Sequence, residues 1–438
     1  MAIFPNSWKH TKVIPIPKPN KPQTDPSAYS PISLLNTLSK LFERIIATRI
    51  QSHINLHHLL PHSQFGFRKR HSTTTQLARI TEHITHGFNL HKHTGMLLLD
   101  IEKAYDTIWI QGLLYKLILY KFPPYLLLLL KTFLENRSYS VHLNFSVSTP
   151  IFLQAGLPQG AVLSTTLFSL YIADLPTFPN TLLALYADDT AVLTQSWRPD
   201  TIHRRLTHAS TLLLKYFSRW KLQVNTHKTE IILFTRRSPM TPPPFRCQQA
   251  VIPRAPQVKY LGVLLDSKLL FSNHIKTTSQ KALGVLCKLF PLLARDSTLP
   301  VTTKLALYKL TIRSILTYAA QVWSSTSTSN LKHLQITQSK CLRVIGNLPK
   351  RTPIQQLHAL LQVQPLNEYI YNLTTSFFNK CYSHPSPLIR TIGNYTLTDL
   401  RHLNPKYIHK RPKHLLLQQS IFPPKPNPPF PTPLDPLT

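Results

Sequence analysis

The chain has 438 residues, which is enough for two or three domains with cores of their own. Its 42% apolar content is that of a globular protein, but 50 basic residues face only 17 acidic ones, and the formal net charge is +33. This imbalance excludes an acidic-surface enzyme and argues against most small-substrate enzymes. It indicates a polyanionic partner, with nucleic acid favoured over an anionic membrane.

Neither the cysteines nor the apolar stretches indicate a secreted or membrane protein. The four cysteines are far apart and include no CxxC pair, which predicts no disulfide framework, no zinc site and a reducing compartment. The beginning of the chain lacks the apolar core of a secretory signal. The most apolar stretch, 112–134, is interrupted by Lys116, Lys121 and two adjacent prolines, so no membrane-spanning helix is predicted.

The first predicted elements are an extended segment, a helix and a strand. Residues 9–24 are rich in proline and lysine, which favours a basic loop or an edge strand. Apolar residues at helical spacing predict a helix from about Leu35 to His57. The apolar run 95–101 is typical of a buried strand, and we expect that strand to end at Asp100.

Further along, helical spacing after Gly160 predicts an amphipathic helix. The apolar stretches on either side of Asp188–Asp189 predict a hairpin. A second hairpin is predicted from VKYLGVLL and KLLFSNHI, on either side of Asp266–Ser267. Helical periodicity then extends from about Ile275 to Ile345, and the proline-rich end of the chain predicts a disordered or polyproline tail.

Acidic residues are so scarce that their placement is informative. Asp100, Glu102 and Asp106 form one cluster, and Asp188–Asp189 is the only adjacent acidic pair. If Asp100 reaches the hairpin tip that bears the pair, three carboxylates share a site that needs a cation such as Mg²⁺. Two such ions would activate a 3′-hydroxyl and stabilise leaving pyrophosphate, as in polymerases and nucleases. A merely solvated turn is the alternative, and spacing alone does not decide between them.

Taken together, the motifs resemble those of reverse transcriptases from non-LTR retrotransposons, and they are most similar to the jockey-like class. The resemblance covers roughly residues 5–395 and is carried, in chain order, by QFGFRKRHSTTTQL, LLLDIEKAYDTIW, AGLPQGAVLSTTLFSLYIADLP, YADDTAVL, WKLQVNTHKTEIILF and VKYLGVLLD. It implies an α+β right-hand polymerase fold. It also implies RNA-directed DNA synthesis from a primer 3′-hydroxyl, with dNTP substrates and two Mg²⁺ ions, or Mn²⁺ in their place.

The same resemblance implies a domain order and a setting. The implied domains are fingers (1–95), palm (96–257), primer-grip hairpin (258–272), helical thumb (273–345), helical C-terminal segment (346–415) and disordered tail (416–438). The implied partners are an RNA template and a DNA primer, and no membrane is involved. The implied location of the protein is the nucleus or a cytoplasmic ribonucleoprotein. No endonuclease-like segment precedes the first motif, so target cleavage is expected from elsewhere.

Carried over position by position, the resemblance implies a set of site residues. These are Asp100, Asp188 and Asp189 for the metal ions, Lys228 as a proton donor to pyrophosphate, Tyr105 against a 2′-hydroxyl, Gln159 and Gly160 at the new base pair, and Arg68 on phosphate. Four of these have a plainer alternative: Tyr105 as a packed tyrosine, Gln159 and Gly160 as an ordinary loop before a helix, and Lys228 as a solvated lysine.

One departure from the family pattern concerns the incoming triphosphate. The family usually reads Tyr-Arg-Pro-Ile-Ser, whereas this chain has Ser30 in place of the arginine. Serine cannot supply that positive charge, so a catalytically inactive RNA-binding relic of a truncated retroelement is the alternative function. A metal-dependent nuclease is a third. We predict an active polymerase, because the carboxylates are intact.

Overall fold

The computed structural model describes residues 3–18, 22–25, 28–236 and 243–393. Helices combine there with mostly antiparallel strands, so the predicted α+β class is confirmed. The chain divides into two compact units. One unit is Met1–Gln76 with Lys92–Pro256, and the other is Leu77–His91 with Gln257–Thr438.

The strands and helices below belong to those described ranges. The strands are β1 (His10–Pro17), β2 (Tyr29–Leu34), β3 (His93–Leu99), β4 (Ser138–Leu143), β5 (Ser146–Val147), β6 (Ile151–Phe152), β7 (Thr181–Tyr186), β8 (Asp189–Ser196), β9 (Glu230–Phe234), β10 (Phe245–Cys247), β11 (Ala250–Ile252), β12 (Gln257–Tyr260) and β13 (Val263–Asp266). The α-helices are α1 (Thr37–Leu56), α2 (Thr73–Asn89), α3 (Ile110–Leu119), α4 (Pro124–Leu134), α5 (Val162–Tyr171), α6 (Pro199–Arg219), α7 (Ser272–Leu293), α8 (Val301–Leu307), α9 (Arg313–Thr317), α10 (Ala320–Trp323), α11 (Thr328–Ile345), α12 (Ile354–Leu361), α13 (Leu366–Tyr382) and α14 (Pro387–Arg390). A 3₁₀ turn, Asn6–Trp8, precedes β1, and a π-helical segment, Tyr308–Ile312, lies between α8 and α9.

The first unit is organised around a four-stranded antiparallel sheet with the strand order β7-β8-β3-β9. β3 is almost wholly buried, which explains the apolar run Met96–Leu99 in its second half. α6 packs against β3 and β8, with Ile202, Leu206 and Leu213 among its buried side chains. Each such side chain contributes about 1.5–3 kcal/mol when buried. The predicted strand is confirmed, and it ends one residue before Asp100, which therefore emerges from the core at a fixed position.

A second sheet in this unit has the order β2-β1-β4-β5, with β6 also paired to β4. The predicted extended segment is confirmed over β1, but its predicted edge position is wrong, because β1 pairs with β2 on one side and with β4 on the other. β1 pairs with β4 only through His10–Val13, so Pro15 and Pro17 lie beyond that ladder, where a missing N–H on that side is tolerated.

Two helices predicted from periodicity are confirmed in the first unit. α1 begins after Asn36, whose side-chain oxygen accepts a hydrogen bond from the Leu38 N–H over 2.9 Å and caps the helix. α5 begins two residues after Gly160. These helices matter for the site because α5 directly follows the loop that joins Gly156 to Ala161, and α1 packs against α5.

In the second unit, the hairpin predicted around Asp266–Ser267 is wrong. The hairpin is formed by β12 and β13, and its turn is Leu261–Gly262, where both residues have positive φ angles of 42° and 85°. The Asp266 carboxylate accepts hydrogen bonds from the N–H groups of Leu270 and Phe271, over 3.0 and 2.7 Å, and turns the chain into α7. The predicted helical stretch from Ile275 to Ile345 is confirmed.

Some predictions fall on parts of the chain about which the structure gives no description. The proposed tail, 416–438, and the preceding residues from 394 lie outside the described residues, and so does the side chain of Ser30. None of the four cysteines, all of which lie within the described ranges, forms a disulfide bond. Among the helices that are described, none combines the length and apolarity required to cross a bilayer.

Candidate active site

The three predicted carboxylates lie at one end of the four-stranded sheet. β7 and β8 form the predicted hairpin, in which Tyr186 pairs with Asp189 and the turn is Ala187–Asp188. On the other side of β8, the last residue pair with β3 joins Leu99 to Thr190. Because the register is antiparallel, Asp100 follows directly beside Asp189. The structure therefore brings together acids that are almost ninety positions apart in the sequence.

The carboxylates influence one another electrostatically. Burial raises the pKa of Asp189 to about 6, with further contributions from the charges of Asp188 and Asp100. Burial likewise raises the pKa of Asp188, and the charge of Asp100 adds to this rise. A hydrogen bond from the backbone N–H of Asp188 and the charge of Lys228 both lower the pKa of Asp188 and so oppose the rise. Three anions in a partly desolvated place repel one another, so a cation at this end of the sheet would be strongly favoured.

Lys228 is the protein's own cation at this site. Its Nζ lies 3.3 Å from Asp100 Oδ2, and the two side chains are 69% and 29% exposed, so the ion pair contributes little stability, about 0–1 kcal/mol. Local backbone pairing places it there: the Asn225 N–H donates to the Asp100 carbonyl over 2.8 Å. The Asn225 side-chain oxygen then accepts from the Lys228 N–H over 3.3 Å, which turns the chain back toward the carboxylates.

The donor set fits a hard divalent cation. Asp100 Oδ2 is a buried oxygen that accepts no hydrogen bond within the described residues, although Lys228 lies beside it. Carboxylate oxygens of this kind are the ligands that Mg²⁺ prefers. Among the described side chains, no group of three or more His, Cys, Asp or Glu is arranged closely enough to hold a metal ion as it stands. The fit therefore rests on charge and on the unsatisfied oxygen.

A segment ahead of α2, residues 63–66, supports the hairpin turn and is called the edge segment below. Its Phe65 N–H donates to the Leu185 carbonyl over 2.9 Å, on the outer side of β7. Buried Gln64 accepts a hydrogen bond from the Ala187 N–H over 3.3 Å. Gly66 packs so closely that an added Cβ would lie 2.2 Å from the Ala187 nitrogen. Both Gln64 and Gly66 belong to the motif QFGFRKRHSTTTQL, but the sequence pattern predicted no role for either residue.

The loop before α5 is fixed to the segment that follows Asp100. The Leu157 N–H donates to the Tyr105 carbonyl over 2.7 Å. Gly156 has φ +94°, and a Cβ there would lie 2.7 Å from the Asp106 carbonyl oxygen, so only glycine suits this position. The Gln159 side chain donates to the Asp106 carboxylate over 2.8 Å. Asp106 thus holds Gln159, a link that sequence spacing did not indicate.

Gly160 and Tyr105 complete the surroundings of the carboxylates. Gly160 has φ +80°, and a Cβ there would lie 3.1 Å from the Ser33 carbonyl oxygen. The half-buried Tyr105 ring packs 5.1 Å from the Phe168 ring, centroid to centroid. Burial raises the pKa of the Tyr105 hydroxyl, and the Asp188 charge adds to this rise. Tyr105 is therefore packed against the core and close to the carboxylates at the same time.

No contact among the described residues places Arg68 beside the carboxylates. Its guanidinium donates a hydrogen bond to the Pro61 carbonyl over 3.2 Å, and burial lowers its pKa. This contact stabilises the loop between α1 and α2. The phosphate contact predicted for Arg68 stays a prediction.

Glu43 is a site residue that the sequence analysis missed. It is fully buried on α1, and its Oε2 accepts a hydrogen bond from the Val162 N–H over 2.7 Å at the beginning of α5. A carboxylate at a helix N-terminus is favourable because it meets free N–H groups and the positive end of the helix dipole. Buried Arg137 is the nearby countercharge: burial lowers its pKa to about 10, and the Glu43 charge opposes that shift.

The Glu43→Gln variant is expected to lower the free energy of unfolding by about 3 kcal/mol, because it leaves Arg137 buried without its countercharge. Urea unfolding of the full chain measures this loss. The matched control is Glu135→Gln, since Glu135 is half-exposed and lies 4.0 Å from Lys131; its effect should stay within about 0.5 kcal/mol. Equal stability of the two variants would contradict the capping role.

Comparison with known proteins identifies a matching family and several similar proteins. The Reverse transcriptase (RNA-dependent DNA polymerase) family matches residues 16–265, more than half of the chain. The probable RNA-directed DNA polymerase from transposon BS of Drosophila melanogaster is 36% identical over 403 residues, which cover 90% of this chain and 44% of that protein. The RNA-directed DNA polymerase from mobile element jockey of the same species is 32% identical over 401 residues, which again cover 90% of this chain and 44% of that protein.

The predicted resemblance to jockey-like elements is thereby confirmed, and the chain spans less than half the length of these relatives. Among solved structures, apo telomerase from Candida Tropicalis aligns with a TM-score of 0.43 and 10% sequence identity, covering 88% of this chain and 69% of that chain. Nothing further follows from so distant a likeness.

Proposed function

We propose that this chain, which belongs to the reverse transcriptase (RNA-dependent DNA polymerase) family, extends a primer 3′-hydroxyl with dNTPs on an RNA template. The observation that carries the proposal is the meeting of Asp100, Asp188 and Asp189 at one end of the sheet. The formal net charge of +33 supports binding to a nucleic acid backbone. The names of the Drosophila relatives support RNA-directed DNA synthesis as the reaction, in retrotransposition.

Family membership also supports a right-hand arrangement of domains. We assign the fingers to residues 1–95, the palm to 96–257, the primer-grip hairpin to 258–272 and the thumb to 273–345. The described residues from 346 to 393 would then belong to a C-terminal helical segment, whose predicted remainder, 394–415, lies outside the described residues. The protein would work where its RNA and its DNA target meet, in the nucleus or in a cytoplasmic ribonucleoprotein.

In the proposed mechanism, Asp100 and Asp188 would hold two divalent ions, with Asp189 as a supporting carboxylate. Mg²⁺ bound there would supply Lewis-acid activation of the 3′-hydroxyl and stabilisation of the leaving pyrophosphate. The protein's own part is to keep three repelling carboxylates in one place. It does so by pairing β8 with β3 and by fixing the hairpin turn with Gln64.

Lys228 would act as the general acid. Its ion pair with Asp100 holds the Lys228 Nζ beside the proposed metal ligands. The exposed Lys228 side chain would donate its Nζ proton to pyrophosphate. Asp106 would orient Gln159 toward the nucleotide through their 2.8 Å hydrogen bond, and Gly160 would let the backbone approach the base pair.

The Tyr105→Val variant is expected to incorporate ribonucleotides more readily, with selectivity for dNTPs over rNTPs falling by at least about tenfold. The reason is that the Tyr105 ring, close to Asp188, would lie under the sugar and leave no room for a 2′-hydroxyl. Competing dATP and ATP in single-nucleotide extension measures the selectivity. Tyr115→Val is the matched control, because Tyr115 is 56% exposed on α3. Unchanged selectivity in Tyr105→Val would show that the ring serves packing alone.

Incorporation of dTTP on a poly(rA)–oligo(dT) substrate, with Mg²⁺ or Mn²⁺, tests the proposed function directly. Steady extension of the primer is the expected result. RNA binding without any incorporation would instead support the inactive relic that the Ser30 position suggests. Cleavage of the template without extension would support the nuclease alternative.

A further inference from the structure

The outer face of α6 carries a row of basic side chains that the proposed reaction does not use. Arg204, His208, Lys215 and Arg219 are exposed. Their spacing of four, seven and four residues keeps them on one face of the helix, because 3.6 residues make a turn. The row extends for about 22 Å along the helix axis. We call these four side chains the α6 row.

Beside the second half of the α6 row lies an open groove of about 790 Å³. Its cations are Lys215 and Arg219, together with Arg246 from β10. Its polar uncharged side chains are Thr207, Ser210, Thr211, Ser218 and Gln248. The Thr207 hydroxyl is buried and has no hydrogen-bond partner among the described residues. Guanidinium, ammonium, hydroxyl and amide groups are the donors with which proteins bind phosphate oxygens.

No described carboxylate compensates for these cations. The only acidic residue of α6 is Asp200, in its first turn. Of the ion pairs formed by the described residues, none includes a member of the α6 row or Arg246. An uncompensated row of like charges repels itself and is stabilised by a polyanion.

We propose that the α6 row and its groove bind the phosphate backbone of single-stranded RNA, at a site separate from the carboxylates. The inference goes beyond the proposed function, since α6 contributes no residue to nucleotide transfer. RNA suits this surface better than an anionic membrane, because the exposed residues of α6 include no apolar side chain to enter a bilayer. The Ser210 and Thr211 hydroxyls already donate to the Thr207 carbonyl over 2.9 Å each. The Thr207 and Ser218 hydroxyls and the Gln248 amide are the other polar groups that line the groove and suit phosphate oxygens.

The test is the binding of poly(rU) by the full-length Arg219→Gln/Arg246→Gln variant over a range of salt concentrations. The slope of log affinity against log salt is negative, and losing two phosphate contacts should make it shallower by about 1.4. The affinity should fall by about tenfold at physiological salt. The matched control is Arg295→Gln/Arg351→Gln, in which two exposed arginines outside this surface are replaced. It should change the slope by less than half as much. Arg219→Lys/Arg246→Lys keeps both charges and should retain most of the slope.

Two outcomes would overturn the inference. Equal loss of poly(rU) binding in both glutamine variants would mean that only the total charge matters. Weaker binding of phosphatidylserine vesicles with unchanged poly(rU) binding would assign the surface to a membrane. Primer extension on a short duplex separates this inference from the proposed function, because the Arg219→Gln/Arg246→Gln variant should extend such a primer at the parental rate whether or not it binds poly(rU).

Discussion

The Asp188→Asn variant is expected to lose primer extension by at least about 100-fold while binding RNA as tightly as the parent. Asparagine keeps the shape of the side chain but removes the charge that faces Asp100 and Asp189. Losing one preorganised charge partner in a catalytic site costs about 10²- to 10³-fold. Extension of oligo(dT) on poly(rA) measures the first effect, and fluorescence anisotropy with labelled RNA measures the second.

The control for this variant is Asp296→Asn, which removes a carboxylate from an exposed position in the second unit. It should extend primers at the parental rate. A thermal unfolding curve for each variant excludes misfolding as the cause of any loss. Parental extension by Asp188→Asn would end the assignment of this site to nucleotide transfer.

The Gly66→Ala variant is expected to lose about 100-fold in extension rate, although Gly66 touches no substrate in the proposed mechanism. Its Cβ would lie 2.2 Å from the Ala187 nitrogen and 2.9 Å from the Tyr186 carbonyl carbon. Both are backbone atoms of the turn that carries Asp188, so the turn itself must shift. A displacement of about 1 Å at a catalytic group costs about 10²-fold in rate. The turnover number in primer extension, measured at saturating dTTP, checks this.

Gly284→Ala is the matched control, since a Cβ at Gly284 meets nothing within 4 Å and the residue lies inside α7. It should keep parental activity and gain up to about 1 kcal/mol in unfolding free energy. Gln64→Ala removes the hydrogen bond to Ala187 without a clash, so it should lower the turnover number less than Gly66→Ala. Parental activity in Gly66→Ala would show that the edge segment does not position Asp188.

The sequence predicts those elements of the fold whose causes are local. The buried strand before Asp100 and the hairpin at Asp188–Asp189 follow from uninterrupted apolar runs around isolated acids. α1 and α5 follow from helical periodicity. The second hairpin was placed wrongly because the Asp266–Ser267 pair is a common turn signal, whereas the true turn, Leu261–Gly262, interrupts an apolar run with a single glycine.

Long-range contacts account for what the sequence did not predict at the site. Gln64 reaches Ala187 across 123 positions, and Glu43 reaches Val162 across 119. Neither contact leaves a periodic trace in the sequence. For Glu43 one signal was available: in a chain with very few acids, it shares the helical spacing of the apolar residues Ile46 and Ile50, and a charge on such a face is kept only when it has partners. Asp106 was noticed as part of an acidic cluster, but its bond to Gln159 depends on how the loop folds back.

The edge segment has a second consequence, which concerns self-association. An uncovered edge of a sheet can recruit a strand from another chain and start aggregation. On β7, Phe65 donates its N–H to Leu185, and on β9 the N–H of Ala255 donates to the carbonyl of Ile231. Short irregular segments thus cap both flanks of a sheet with very apolar strands. The edge segment, which positions the turn that bears Asp188, therefore also covers one edge of the sheet and reduces aggregation of newly synthesised chains.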